Sequence, residues 1–402
     1  MKHRWLALAV LCCFLCSGCG SLGNKSYISV TPHQEQLVES NTGNVSASDY
    51  LELTEAVERI VEGGTEQGVI FVPNYDQNVL EIQLNEIIRN VTKNNPIGAY
   101  AVEQIDYELG TNSGQAAIAL NIGYIHDRAE IRRIEQVEDM DQAQDLIKEA
   151  LDECNTGVVM RIASYQRMDF TQFVEDYVDT YPELVMERPE VTVSVYPDNG
   201  QDDQVVELKF TYQTSRETLR NMQTQVRKVF DSAVLYVSGD GEDQEKFSQL
   251  YSFLMERYDY KIKTSITPSY SLLHHGVGDS KTFAVVYAAM CRLSGLECLV
   301  VSGTRSGEAW YWNIVHDGQR YFHVDLLRSA EFGKFVELTD GQMEGYVWDY
   351  SRFPACSSDP SEHFQTTETT DEDLKEKNTE TLPETTEDAA ETSVSTESEK
   401  IE

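Results

Sequence analysis

The chain has 402 residues, long enough for two or three compact units, and its 68 acidic and 32 basic side chains leave a formal net charge of −36. Such a balance excludes nucleic acid as a partner class, because phosphate contacts need clustered Lys and Arg, and an anionic membrane surface would repel the body of the protein.

The first residues read as an address and not as structure. Lys2, His3 and Arg4 are basic, and residues 5–15 are apolar but too few to span a bilayer as a lasting helix. The stretch Leu15-Cys16-Ser17-Gly18-Cys19 resembles a bacterial lipobox, so residues 1–19 are expected to be a lipoprotein signal peptide. Lipid on Cys19 would hold the mature chain at the outer face of a cell membrane, extracellular and without a transmembrane segment. Ordinary secretion with cleavage nearby is the alternative. Loss of the leader leaves Cys19, Cys154, Cys291, Cys298 and Cys356, with no CxxC pair and no metal-ligand spacing. Neither a cofactor nor a metal is therefore expected. A Cys291–Cys298 disulfide is open in an oxidising compartment, on sequence proximity alone.

Residues 20–47 are polar and read as a tether. Residues 48–134 and 135–215 read as two α/β units in the same order. In the first, a helix (51–61) leads to a buried strand (68–72), a second helix (80–91) and two strands (101–109 and 116–125) around the turn GTNSG. In the second, the corresponding pieces are 143–151, 157–162, 170–178, 191–196 and 205–212. GYIHDRAEI and TYQTSRETL close the two copies about 88 residues apart, which makes an internal duplication the expectation. Nothing in either copy has catalytic spacing, and His126 reads as a surface or turn residue.

Two helices, 216–234 and 244–257, lead into the most informative stretch. Residues 270–304 run YSLLHHGVGDSKTFAVVYAAMCRLSGLECLVVSGT, and residues 308–327 run EAWYWNIVHDGQRYFHVDLL. A Gly-rich loop, an apolar helix from about 281 to 293 and strands ending at Asp325 are the predicted elements. That order resembles the core of the transglutaminase-like (papain-like thiol enzyme) superfamily, and the resemblance extends over residues 216–356. It implies an α+β C-terminal domain, with a helix packed on an antiparallel sheet, behind the two duplicated α/β units.

The resemblance also implies a thiol at the helix N-terminus, a His on the next strand and an Asp after it. The thiolate attacks, the His moves the proton and the Asp orients the His. The matching positions here hold Ser280, Trp310 and Asp325. Ser needs a base, and Trp has no basic nitrogen to offer. His323, two residues before Asp325, is the best substitute base if both side chains leave one strand face together. The bland alternative is a packing role for His323. His274 and His275 read as loop residues and His316 as an exposed turn. Trp310, Tyr311, Trp312, Tyr270 and Phe322 are either core or one aromatic groove.

Residues 357–402 contain 15 acidic residues and 3 Lys among Thr and Ser, and are expected to be a disordered, solvated tail. Two functions compete. One is a surface lipoprotein whose degenerate domain binds a peptide, protein or cell-wall polymer without cleaving it. The other is an acyltransferase or protease of the same fold, using Ser280 with His323.

Overall fold

The computed structural model describes residues 45–237, 239–257 and 260–357. The expected signal peptide, with Cys19, and most of the expected tether and acidic tail lie outside the described residues. Contacts sort the described chain into two units. One comprises residues 45–139, 159–165 and 195–206, and the other 140–158, 166–194 and 207–357.

The first four-stranded sheet grows from local signals. Asp49 accepts from the Glu52 amide and starts α1 (Tyr50–Glu62), whose Leu53, Val57, Ile60 and Val61 form one buried stripe. Then follow β2 (Gln67–Phe71), α2 (Gln77–Asn94), the short α3 (Pro96–Ala101), β3 (Val102–Asn112) and β4 (Gln115–Tyr124). Val45–Ser46, inside the expected tether, instead forms β1 and pairs parallel with β2. The sheet order is β1-β2-β4-β3.

After α4 (Arg128–Ile131) the pattern recurs. It comprises β5 (Glu135–Val137), α5 (Met140–Asp152), β6 (Gly157–Ile162), α6 (Phe170–Thr180), β7 (Glu190–Tyr196) and β8 (Gln204–Thr211). Its sheet order is β5-β6-β8-β7, with β5 parallel to β6, the same arrangement as in the first sheet. We propose that this shared order reflects the duplication read in the sequence. His126 is half-buried, stacked on Tyr100 with ring centroids 4.1 Å apart.

The second unit is organised around one helix. α7 (Arg216–Tyr236), α8 (Asp243–Met255), β9 (Lys261–Ile262), α9 (Pro268–His275) and β10 (Val277–Gly278) precede α10 (Ser280–Leu293). α10 is apolar nearly all round, so it is buried on nearly all sides, with Phe283, Val286, Tyr287 and Met290 in the main core cluster. The Tyr287 hydroxyl donates to the Phe247 carbonyl at 2.8 Å, so even the polar tip of this buried ring is satisfied.

Beyond α10 come β11 (Cys298–Arg305), β12 (Glu308–His316), β13 (Tyr321–Val324), α11 (Leu326–Glu331) and β14 (Tyr346–Trp348). The sheet is antiparallel in the order β13-β12-β11-β14. Side-chain alternation splits its two faces. Asn313, Val315, Phe322 and Val324 meet the α10 side, where the Asn313 amide donates to the Ala284 carbonyl at 2.9 Å. Trp312, Ile314 and Trp348 belong to a second cluster on the other face. Gly303 lets that face close. A Cβ there would stand 2.3 Å from the Val347 carbonyl oxygen and 2.8 Å from the Trp312 ring.

The α+β C-terminal domain expected from the sequence is therefore present. His274 and His275 are corrected from loop to the last turn of α9, which ends at Gly276 in the left-handed region (φ 65°). Among the described residues no helix is long and apolar enough to cross a membrane.

Candidate functional site

Ser280 opens α10. Asp279 caps the helix, its Oδ1 accepting from the Thr282 amide at 2.9 Å and the Thr282 hydroxyl at 2.7 Å. Its Oδ2 accepts from the Thr264 hydroxyl at 3.0 Å, which ties the cap to the preceding segment. Ser280 is the first helical residue and is only 8% exposed. Its Oγ accepts from the Tyr311 amide of β12 at 3.3 Å. Among the described residues no side-chain base hydrogen-bonds to that hydroxyl. The helix N-terminus favours negative charge by about 1 kcal/mol, far too little to ionise an alcohol unaided.

Trp310, next to Tyr311, is half-buried and donates its indole N–H to Asp325 Oδ2 at 2.8 Å. Imidazole in that position would make the same kind of bond, but indole has no second nitrogen with which to take a proton. The Tyr346 hydroxyl donates to the same oxygen at 2.6 Å. Burial first, and then the Asp325 carboxylate, hold the Tyr346 phenol well above its ordinary pKa, so it stays a donor.

Asp325 is corrected from strand residue to helix cap. β13 stops at Val324, and Asp325 Oδ1 accepts the amides of Leu327 and Arg328 at 3.0 and 3.1 Å. Arg305 supplies positive charge nearby, 3.9 Å from Oδ2 and lying over the Trp310 and Tyr346 rings at 5.3 and 5.6 Å. Both carboxylate oxygens are thus fully engaged. Through Tyr311 and Trp310 the chain links Ser280 to Asp325, so the three expected positions do gather in one neighbourhood.

His323 stands elsewhere. It faces Ile314 across β12–β13 and is fully buried on the sheet face opposite α10. The expectation that His323 and Asp325 leave one strand face together is overturned, because Asp325 lies past the strand end. The Trp312 indole N–H donates to His323 Nδ1 at 2.9 Å. Indole is donor only, so Nδ1 carries the lone pair and Nε2 the proton, which Nε2 donates to Asp340 Oδ1 at 2.8 Å. The one lone pair a base would need is already taken.

Asp340 Oδ2 also accepts the Cys356 amide at 3.0 Å, and the ligand atoms of His323, Asp340 and Cys356 lie within 4.8 Å of one another. Sequence spacing missed this cluster, since its members are far apart along the chain. It fits a metal poorly. A cation at Nε2 would displace the proton while Nδ1 still faces a donor, and burial followed by Asp340 pushes the Cys356 thiol well above its usual pKa. The cluster instead pins the closing segment, with the Asp340 amide donating to the Cys356 carbonyl at 2.7 Å.

The aromatic-groove expectation also dissolves into faces. Trp312 and Phe322 are buried on opposite sides of the sheet, and Tyr270 stacks on His274 at 4.9 Å. Tyr311 lines a real groove. A depression of about 530 Å³ runs past Asp179, Lys281, Arg292, Cys298, Tyr311 and Arg352. Lys281 pairs with Asp179 at 2.6 Å and lies 5.6 Å from the Tyr311 ring centroid. The same Lys281 borders a second, more apolar cavity of about 330 Å³, walled by Val178, Pro182, Val185, Pro268 and Val285. His316 is half-buried at the end of β12, 3.4 Å from Glu297.

Residues 232–326 match the model of the transglutaminase-like superfamily. The match bears out the resemblance read in the sequence, over a shorter stretch than residues 216–356. No curated protein matches the chain. Among solved structures, one described as a TGase shares 9% identity at a TM-score of 0.23, over 48% of this chain and 59% of that one. A proposed protease from Parabacteroides distasonis shares 9% identity at a TM-score of 0.19, over 68% of this chain and 44% of that one. The chain covers less than two thirds of either structure.

Proposed function

We propose that the transglutaminase-like domain carried by this chain binds a peptide, protein or cell-wall polymer and does not cleave or transfer it. In this reading the chain is a lipoprotein, held by Cys19 at the outer face of a cell membrane. The observation that carries it is the Trp310–Asp325 hydrogen bond of 2.8 Å, which puts a donor-only indole in the place of the proton-accepting imidazole. Among the described residues Ser280 is left with a backbone amide as its partner and no base. His323 does not rescue it, because Trp312 occupies the only lone pair of its ring. The groove beside Lys281 and Tyr311 offers donors, acceptors and an aromatic face to an extended polymer.

The test is incubation of the full chain with a fluorescent primary amine and casein. The expected outcome is casein binding without covalent amine incorporation. Amine incorporation that disappears in Ser280→Ala would overturn the non-catalytic reading, and absence of binding to casein and to isolated cell wall alike would overturn the binding reading.

A further inference from the structure

We propose that Cys291 and Cys298 are a disulfide-forming pair that staples α10 to β11 when the chain meets an oxidising compartment. Cys291 is fully buried in the last turns of α10 and Cys298 is the first residue of β11. A tight turn through Gly295 (φ 75°) reverses the chain between them, with the Leu296 amide donating to the Cys291 carbonyl at 2.9 Å. Cys298 packs against the core cluster that contains Cys291, and its cross-strand partner Val315 belongs to that cluster, so the turn sends both cysteine side chains to the same side of the sheet. Cys356 lies in the cluster on the other sheet face, and Cys154, buried in the same cluster as Cys291, is far from it along the chain; neither belongs to this pair.

The two sulfurs differ in access, and that sets the order of the chemistry. Cys298 is half-buried and lines the groove shared with Lys281 and Tyr311. Cys291 is enclosed. A small disulfide oxidant reaches Cys298 first. The Cys298 thiolate attacks one sulfur of the oxidant, forms a mixed disulfide and releases one thiol. The Cys291 sulfur then attacks Cys298 Sγ, its proton passing to the departing small thiolate, which leaves as the second thiol. Two protein thiols and one disulfide oxidant become one protein disulfide and two small thiols, so atoms and electrons balance. The product joins the helix that opens at Ser280 to the strand paired with Trp310. It fixes one wall of the groove.

Occurrence in the cell rests on the export proposed above, but the chemistry does not, so the two fail separately. The experiment equilibrates the purified full chain with oxidised glutathione, alkylates it under denaturing conditions and maps the peptides without reduction. The expected result is a Cys291–Cys298 linked peptide, two hydrogens lighter than the sum of its parts, with Cys154 and Cys356 alkylated. The oxidised chain should melt roughly 5 °C above the reduced one. Alkylation of both Cys291 and Cys298, or Cys298 trapped only as its glutathione adduct, overturns the proposal. Cys298→Ser should abolish the linked peptide and the redox-dependent melting shift, and a shift that persists there also overturns it. If that variant does not fold, the peptide map of the unaltered chain decides alone.

Discussion

Two tryptophans two residues apart on β12 make two different networks. Trp310 donates to Asp325, and Trp312 donates to His323, which in turn donates to Asp340. The first network occupies the place where the family's acid–base pair would work, and it contains no imidazole. The second contains an intact His–Asp pair, further along the same sheet face, but with the imidazole lone pair already committed to Trp312. Possession of a Ser, a His and an Asp in one domain therefore says little about catalysis. What decides is whether the free lone pair of the His faces the nucleophile. Here both networks hold the sheet to its closing segments, and the comparison predicts that breaking either one costs stability before it costs chemistry.

The sharpest break is Asp325→Ala. It strands the Trp310 and Tyr346 donors and two helix amides, so stability should fall by about 3 kcal/mol in chemical denaturation. A loss under about 1 kcal/mol would mean that solvent replaces these bonds freely and that the first network is not structural. Next comes His323→Ala, which frees the Trp312 indole and Asp340 and opens a buried space. A loss of about 2–3 kcal/mol is expected, with casein binding unchanged in the folded fraction.

Asp279→Ala touches neither network and removes the α10 cap together with its bond to Thr264. Removal of one N-cap should cost about 1 kcal/mol by the same measurement. The smallest effect is a pH effect. Burial, the leading cause, raises the Glu337 pKa, and its Oε1 has no partner while Oε2 accepts from Gln244 at 2.8 Å. A raised carboxyl keeps its proton longer in the folded chain than in the unfolded one. Its contribution is complete below the unfolded value of about 4.3 and is lost as pH climbs through the higher folded value. Glu337→Gln should therefore raise the melting temperature at pH 7 and leave it nearly unchanged at pH 4. The reverse pattern would place the carboxylate, not the acid, in the native structure.

Much of this fold could be read before the structure. The apolar run 283–291 announced a buried helix, and Gly278-Asp279 before it announced the start. The strands of both N-terminal sheets lie within a few residues of their expected places, because alternation and turn residues are local signals. β1 and β5 were invisible, since strands of two and three residues carry no periodicity. Asp325 was misplaced because a β-rich run continued up to it. The Leu-Leu-Arg that follows Asp325 opens the short helix it caps. The fate of His323 depended on Asp340 and Cys356, which reach it through tertiary pairing and not through spacing. Likewise, the sequence shows that Trp310 brings no base, but the bond its N–H makes to Asp325 is set by tertiary pairing.

The most direct test of the central claim is the reactivity of Ser280 itself. The full chain is incubated with a fluorophosphonate, which labels activated serines, and the site of any adduct is mapped by mass spectrometry. The account predicts that Ser280 stays unmodified under conditions in which an active serine hydrolase is labelled completely. Stoichiometric labelling of Ser280 that vanishes in His323→Ala would contradict it.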